Sequence, residues 1–545
     1  MKFTYSLILF GCIIPNIVNS QSAPLLLKDI YPGDDHSYPQ GFATINGSLL
    51  FSANDGTNGI EFWKSDGTEA GTSMVKNIGP DAASYCVSVY GCGPEFIVMD
   101  DILYFRASDN IHGAEIWRSD GTDAGTYMVK DINAGVGDCS NSTFMSNQYF
   151  TVLDNVIYFA ADGGGNNIEL WRSDGTEAGT YLVKDFAVGQ SSVPKYISAI
   201  DGNLYFQCKN ADDEPELWKS DGTDAGSILL KKMWAIGYDN DRGFIKFGDY
   251  IYFAGDDAEI PYNLELWRTD GTPSGTQLFL ELNPEDDDGG DPREFHILND
   301  KLIFCAKPES EVALMVSDGT PEGTVRLQDN EGHDFSAGFY QLPTEDKLYF
   351  QGNNDDNESG LWITDGTDNG TSFLLAIESG SFENSFATVV NGNNIVFSGY
   401  DDDNGCTAIF QSDGTPEGSV MTYPCDVLTY PYQMYNYNGQ IIVEAESETT
   451  GNEPWIISPE FTTSVYDVEI QTTIHLFPNP AINTITISVD DLLQNDITVL
   501  NAFGEIVYHS TLLSSTQTLD ISFLSAGIYF LKAGHQITKF IKINA

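Results

Sequence analysis

Two acidic runs, Glu285-Asp286-Asp287-Asp288-Gly289 and Asp401-Asp402-Asp403-Asn404-Gly405, gather enough oxygen donors to hold a calcium ion. The candidate ligands are Asp286, Asp288, Asp401 and Asp403. Neither run has the spacing of the helix-loop-helix calcium loop, and a solvated acidic loop has the same composition. Four histidines that could move protons, His36, His112, His296 and His333, precede residue 460. None adjoins a recognisable catalytic pattern, so each reads as a surface imidazole. With 80 Asp and Glu residues, paired carboxylates say nothing specific about glycoside cleavage. No residue is therefore nominated as catalytic. Of eight cysteines, Cys86, Cys92 and Cys139 sit in neighbouring long loops, and Cys406 and Cys425 flank one repeat motif. Pairing within each group is expected, although spacing alone leaves the connectivity open. No Cys-x-x-Cys pair or Cys/His cluster has zinc spacing.

The 545 residues carry a formal net charge of -55. Such a chain repels nucleic acid and anionic membrane surfaces. At 41% hydrophobic and 12% aromatic content it is a packed protein and not an acidic disordered one. Residues 1–20 read as a secretory signal, with Lys2, the apolar run Phe3 to Ile14, and small Asn19-Ser20 before Gln21. No later run approaches the ~20 apolar residues a spanning helix needs.

What must position these groups is a repeat. Asp-Gly-Thr begins at Asp66, Asp120, Asp174, Asp221, Asp270, Asp318, Asp365 and Asp413, at spacings of 54, 54, 47, 49, 48, 47 and 48 residues. Each unit holds four short runs rich in β-branched and aromatic residues, bounded by Gly, Asp or Asn. In the second unit these are Phe96 to Met99, Ile102 to Ala107, Glu115 to Arg118 and Tyr127 to Ile132. Four antiparallel strands in about 48 residues fit a propeller blade. Ile116 and Trp117 then face opposite sides of the sheet, because strand periodicity is two. Seven of the eight tryptophans (Trp63, Trp117, Trp171, Trp218, Trp267, Trp362, Trp455) take this position, with Met315 and Phe410 in two other units, so they read as core between blades. The Asp-Gly-Thr segments read as turns, since Asp accepts local N–H bonds and Gly supplies positive φ.

The ends of the array complement one another. Leu25 to Ile30 (Leu-Leu-Leu-Lys-Asp-Ile) matches the fourth strands at Met128 to Ile132 and Leu182 to Phe186, and the last unit, ending Glu453-Pro454-Trp455-Ile456-Ile457, has no fourth strand. Joining the two removes the open edges of an unclosed array. The expected fold is all-β: a large propeller over 21–459 with nine motif units, in eight or nine four-stranded blades, closed by the N-terminal strand. A connector at 460–471 and a small β-sandwich at 472–545 follow. Antiparallel order places the Asp-Gly-Thr turns on one uniform end. The acidic loops (Asp109, Asp162, Asp212-Asp213, Asp256-Asp257, Asp355-Asp356, Asp401 to Asp403) and the long inter-unit loops share the other, variable end.

The last 70 or so residues resemble a known family. Leu476-Phe477-Pro478-Asn479-Pro480-Ala481, Thr498 to Gly504, Leu524 to Leu531 and Lys539-Phe540-Ile541-Lys542 fall in the order of the C-terminal sorting domain of type IX secretion cargo in Bacteroidota. The resemblance implies recognition by the type IX secretion machinery, and release from the cell or attachment to its surface. The repeats themselves resemble the Glu-Leu-Trp-x-x-Asp-Gly-Thr family of secreted bacterial proteins, which supplies no activity to transfer. Two functions fit: a binding module for an extracellular polysaccharide or protein, and an extracellular propeller enzyme such as a polysaccharide hydrolase or lyase. The lack of an asymmetric catalytic cluster favours binding.

Overall fold

The computed structural model describes residues 22–79, 96–139, 150–165, 167–235, 243–256, 263–284, 289–308, 311–353, 359–377, 387–401, 404–447, 449–461, 475–488, 496–501, 506–511, 516–533 and 536–543. The segment read as a secretory signal, Cys86, Cys92, Asp286, Asp288, Asp403 and most of the connector lie outside them. Among the described residues the secondary structure is strand apart from one 3-10 turn, Asp368–Gly370. The chain forms two compact units, Met1–Phe461 and Thr462–Ala545.

The first unit is a succession of antiparallel sheets. One comprises Gln40–Ile45, Ser48–Asn54, Ile60–Ser65 and Ser73–Lys76, in that order. The pattern recurs at 96–130, 150–184, 195–232, 293–326, 336–376 and 387–423. The sheet at 234–280 carries an additional short strand, Trp234–Ala235, beside Tyr250–Asp256. Met434–Tyr437, Gln440–Ala445 and Glu453–Ile457 take Leu25–Leu26 as their fourth strand. Leu26 lies opposite Trp455, in the register that sets Met128 opposite Trp117.

Apolar residues on both faces of each strand explain how the sheets stack. Leu103, Phe105 and Trp117 pack on Phe62 and Leu50 of the preceding sheet, whereas Tyr104 and Ile116 pack on Ile157 and Phe159 of the following one. Phe42, Leu49 and Trp63 of the Gln40–Lys76 sheet share a core with Ile442, Ile456 and Leu27. Four of the seven motif tryptophans, Trp63, Trp117, Trp267 and Trp362, are buried, as are Met315 and Phe410 where they replace Trp, whereas Trp171, Trp218 and Trp455 are half-buried.

The fourth strands are shorter than their apolar pattern predicts. Tyr127–Lys130 stops before Ile132, and Leu25–Leu26 stops before Ile30. The cause is a carboxylate. The amide of Ile132 turns away from the ladder to donate to Glu115, and that of Ile30 donates to Glu453.

The Asp-Gly-Thr turn is a closed network. Asp174 Oδ1 accepts the Thr176 amide at 3.0 Å and the Thr176 hydroxyl at 2.6 Å. The Thr176 hydroxyl accepts the Gly179 amide, and Thr180 donates to the Thr176 carbonyl. Ser173 and Thr180 share a buried hydroxyl pair at 2.7 Å. Gly175 supplies a φ of +84°, and a Cβ at Gly179 would collide with the Asp174 carboxylate. Both glycines are therefore demanded by geometry.

In the second unit His475–Phe477, Thr484–Ser488 and Thr516–Asp520 form one sheet. Asp496–Asn501, Ile506–Thr511, Gly527–Ala533 and Gln536–Lys542 form another. Ile485, Ile487 and Leu519 of the first share one core with Val499, Leu531 and Phe540 of the second. Two sheets over one apolar layer make a small sandwich.

Candidate functional site

The glutamate that precedes Leu-Trp in the motif is a buried anchor, which strand alternation alone does not reveal. Glu61, Glu115, Glu169 and Glu453 are at most 1% exposed. Each accepts backbone amides from the segment that leaves the fourth strand. Glu61 takes Ile78 at 2.8 Å, Glu115 takes Ile132 at 2.9 Å and Asn133 at 3.2 Å, and Glu169 takes Phe186 at 3.0 Å. Glu453 does the same to the start of the chain, accepting Ile30 and Tyr31 at 3.0 Å and the Ser37 hydroxyl at 2.7 Å. Burial, opposed by these bonds, pushes Glu115 and Glu453 up to about 7. For Glu61, Glu115, Glu169 and Glu265 the signal in the sequence is the constant distance of 17 residues from Glu to the Ile, Phe or Leu amide it holds, whereas Glu453 reaches back to Ile30 at the other end of the array.

The end bearing the Asp-Gly-Thr turns satisfies its own polar groups. Thr hydroxyls, then backbone amides, hold the Asp66 carboxyl below the usual range, and Thr176 does so for Asp174. Turn carbonyls also accept bonds from the neighbouring sheet, from Lys64 to Gly121 and from Lys301 to Gly366.

The opposite end is irregular. Several of its acidic residues fold back on their own backbone: Asp109 accepts Ile111 and His112, and Asp162 accepts Gly164 and Asn167. Asp401 is 7% exposed and takes the Asn404 amide nitrogen at 2.6 Å. Among the described residues no group of three or more His, Cys, Asp and Glu side chains is gathered in a way that could hold a metal. Cys406 and Cys425 form a disulfide, one of the pairings expected within their group.

The histidines are not brought together. His112 pairs locally with Asp109 at 2.7 Å, and His333 lies 3.4 Å from Asp329. His296 is a correction to the surface reading: it sits on Arg293–Leu298, the first strand of its sheet, and burial pushes its imidazole down to about 4. His36 Nδ1 accepts the Asn452 amide at 2.9 Å and lies 3.5 Å from Glu446.

Where the first and last sheets meet, the irregular end carries a group absent from the sequence reading. The His36 and Tyr38 rings stack at 5.2 Å, and those of Tyr430 and Tyr432 at 6.2 Å. Tyr38, Tyr430 and Tyr432 are 39%, 54% and 41% exposed. The only sequence signal is a Tyr-Pro dipeptide at each place, Tyr38-Pro39 and Tyr430-Pro431.

No curated protein matches the chain. Among solved structures, a puromycin-hydrolysing peptidase of Mycobacterium tuberculosis shares 13% identity over 70% of this chain and 62% of its own, with a TM-score of 0.34. Oligopeptidase B of Leishmania major shares 9% over 70% and 55%, with a TM-score of 0.37. PorZ, a surface component of the type IX secretion system of Porphyromonas gingivalis, shares 11% over 93% and 81%, with a TM-score of 0.28. The chain thus spans less than two thirds of the length of those two peptidases. No helix among the described residues is long and apolar enough to cross a membrane. Residues 475–543 match the secretion system C-terminal sorting domain, so the chain carries the tail of type IX secretion cargo, which engages that machinery and is exported to the secreted or cell-surface compartment.

Proposed function

We propose that residues 21–459 form a closed nine-bladed β-propeller that binds an extracellular ligand through its irregular, loop-built end, and that 472–545 is the sorting domain that exports it. Support for closure comes from the Leu26–Trp455 register and from Glu453, which holds Ile30 as Glu115 holds Ile132. A ring also leaves neither terminal sheet with an apolar face open to water, and Phe42, Leu49 and Trp63 of the first sheet do share a core with Ile442 and Ile456 of the last.

The observation that carries the binding reading is the contrast between the two ends. The Asp-Gly-Thr groups are consumed by their own turns, whereas the opposite end differs from unit to unit and exposes aromatic rings. The test is a glycan array and a pulldown from extracellular material with the secreted chain. Capture of an unmodified ligand, abolished by changes in the irregular loops and not by changes on the turn end, is the expected result. Turnover of the captured ligand would replace this reading with the hydrolase or lyase alternative. Calcium at Asp401 and Asp403, or at Asp286 and Asp288, is a separate proposal. It requires calcium to raise the melting midpoint and a chelator to lower it, and an unchanged midpoint removes it.

A further inference from the structure

The aromatic group at the seam between the first and last sheets is held, not loose. Tyr38 and Tyr430 have left-handed backbone, with φ of 46° and 50°, and each precedes a proline. That combination is unfavourable on two counts, for a bulky residue and for a residue before proline. It persists because both flanks are tied down. The Ser37 amide donates to the Asn452 carbonyl and its hydroxyl to Glu453. Thr429 and Glu446 exchange two backbone bonds at 2.9 Å, and the Tyr432 amide donates to Glu444. Val193-Pro194 and Asp291-Pro292 enter the first strands of their own sheets with the same backbone, at φ of 47° and 50°. The strained entry therefore belongs to the scaffold. Tyrosine at that position occurs in the two sheets that meet at the seam.

On the reading that this end is the binding end, we infer that His36, Tyr38, Tyr430 and Tyr432 form a stacking strip for the pyranose rings of an uncharged polysaccharide. The Tyr430 and Tyr432 planes differ by 11° and the His36 and Tyr38 planes by 23°, so within each pair the rings are stacked and near-parallel, and a sugar ring would pack on the outward face of the pair. A cage for a quaternary ammonium needs rings turned toward a common centre. Near-parallel rings 6.2 Å apart leave no room for a cation between them. Nucleic acid bases would also stack, but a chain of net charge -55 repels their phosphates. Glu446 beside His36 disfavours acidic sugars and offers an acceptor to sugar hydroxyls. Tyrosine suits such a strip because its ring face is apolar enough to stack on a sugar while its polar edge tolerates water.

The secreted chain should be run in affinity electrophoresis through gels containing a soluble glucan, a galactomannan, a xylan or polygalacturonate, with calorimetry on any that retard it. Retardation by at least one neutral polysaccharide and not by polygalacturonate is expected. The double variant Tyr430→Ala/Tyr432→Ala should weaken that binding about tenfold or more, while Tyr127→Ala, an exposed tyrosine on an outer strand, leaves it unchanged. Should the double variant lose its melting transition, Tyr432→Ala alone is read in its place. Binding to none of the neutral polysaccharides, or binding undiminished in the folded variant, overturns the inference. Loop-dependent capture of a protein without any glycan binding also overturns it, yet leaves the general binding reading standing.

Discussion

Glu453→Ala is the perturbation that best separates an accidental burial from a designed latch. The carboxylate is 0% exposed and holds two amides and a hydroxyl from the start of the chain. Ala leaves the Ile30 and Tyr31 amides without their acceptor, while Ser37 keeps the Asn452 carbonyl. A buried donor left unpaired costs about 1–3 kcal/mol, so the seam should open more easily by on the order of 3 kcal/mol. At about 1.4 kcal/mol per tenfold, this means roughly a hundredfold faster hydrogen exchange of the protected amides. The assay is exchange mass spectrometry on peptides covering 25–37 and 440–457. The sheet at 293–326 is the internal control. Glu453→Gln keeps one acceptor and should show a smaller effect. The pH dependence has a definite sign. Glu453 keeps its proton in the folded state up to about 7, above the ordinary 4.5, so folded protein binds more protons in that window. Wild type therefore loses stability as pH rises through it, and the gap to Glu453→Gln should narrow. Unchanged exchange at 25–37, or an equal change in every peptide, would refute the latch.

The same linkage applies to the whole molecule: burial pushes Glu444 up to about 8 and Glu115 to about 7, so the melting temperature should fall as pH rises from about 4.5 to about 8. Thr hydroxyls and amides depress Asp66, Asp120 and Asp174, so stability should also fall below the ordinary 3.8 as those groups protonate; a midpoint rising from pH 5 to pH 8 contradicts the first prediction, and one that holds level from pH 4 to pH 2 contradicts the second. Gly179→Ala places a methyl group on the Asp174 carboxylate and should cost about 1–3 kcal/mol in denaturant unfolding, although an exposed Gly→Ala change usually stabilises. Replacing Cys406 and Cys425 by Ser removes a link across 19 residues and should cost about 3 kcal/mol, and a loss under about 0.5 kcal/mol would mean the bond constrains little.

Much of the fold was legible because strand periodicity is two and the motif repeats its faces. Phe62 and Trp63, or Ile116 and Trp117, had to point to opposite sides, and they do. The fourth strand of the last sheet was legible in Leu25-Leu26-Leu27-Lys28-Asp29-Ile30, since the same letters end other units. The role of Glu115 was not legible. A charged residue beside Leu-Trp looks like an exposed strand position, and only the partner 17 residues on makes its burial tolerable. His36 was read as a surface imidazole, and it is half-exposed, but its stacking on Tyr38 left no signal in the sequence. The tyrosine strip was illegible although the joining of its two sheets was not, because the left-handed backbone of Tyr38 and Tyr430 at the strand entries, which sets where their rings lie, leaves no periodic signal in the sequence. The acidic loops were visible as composition. Their conformation was not, because carboxylates such as Asp162 serve their own turns and leave no trace of this in charge counts.

Closure of the array by its own first strand is tested most directly by a disulfide across the seam. Leu25 lies opposite Ile456 in antiparallel pairing, where Cα separations of about 4.5–5.5 Å fall within the reach of a disulfide. In the Leu25→Cys/Ile456→Cys variant, mild oxidation followed by non-reducing digestion and mass spectrometry should yield a linked peptide containing residues 25 and 456 from a monomeric chain. Linkage only between separate chains, or none while the protein remains folded, would contradict the account.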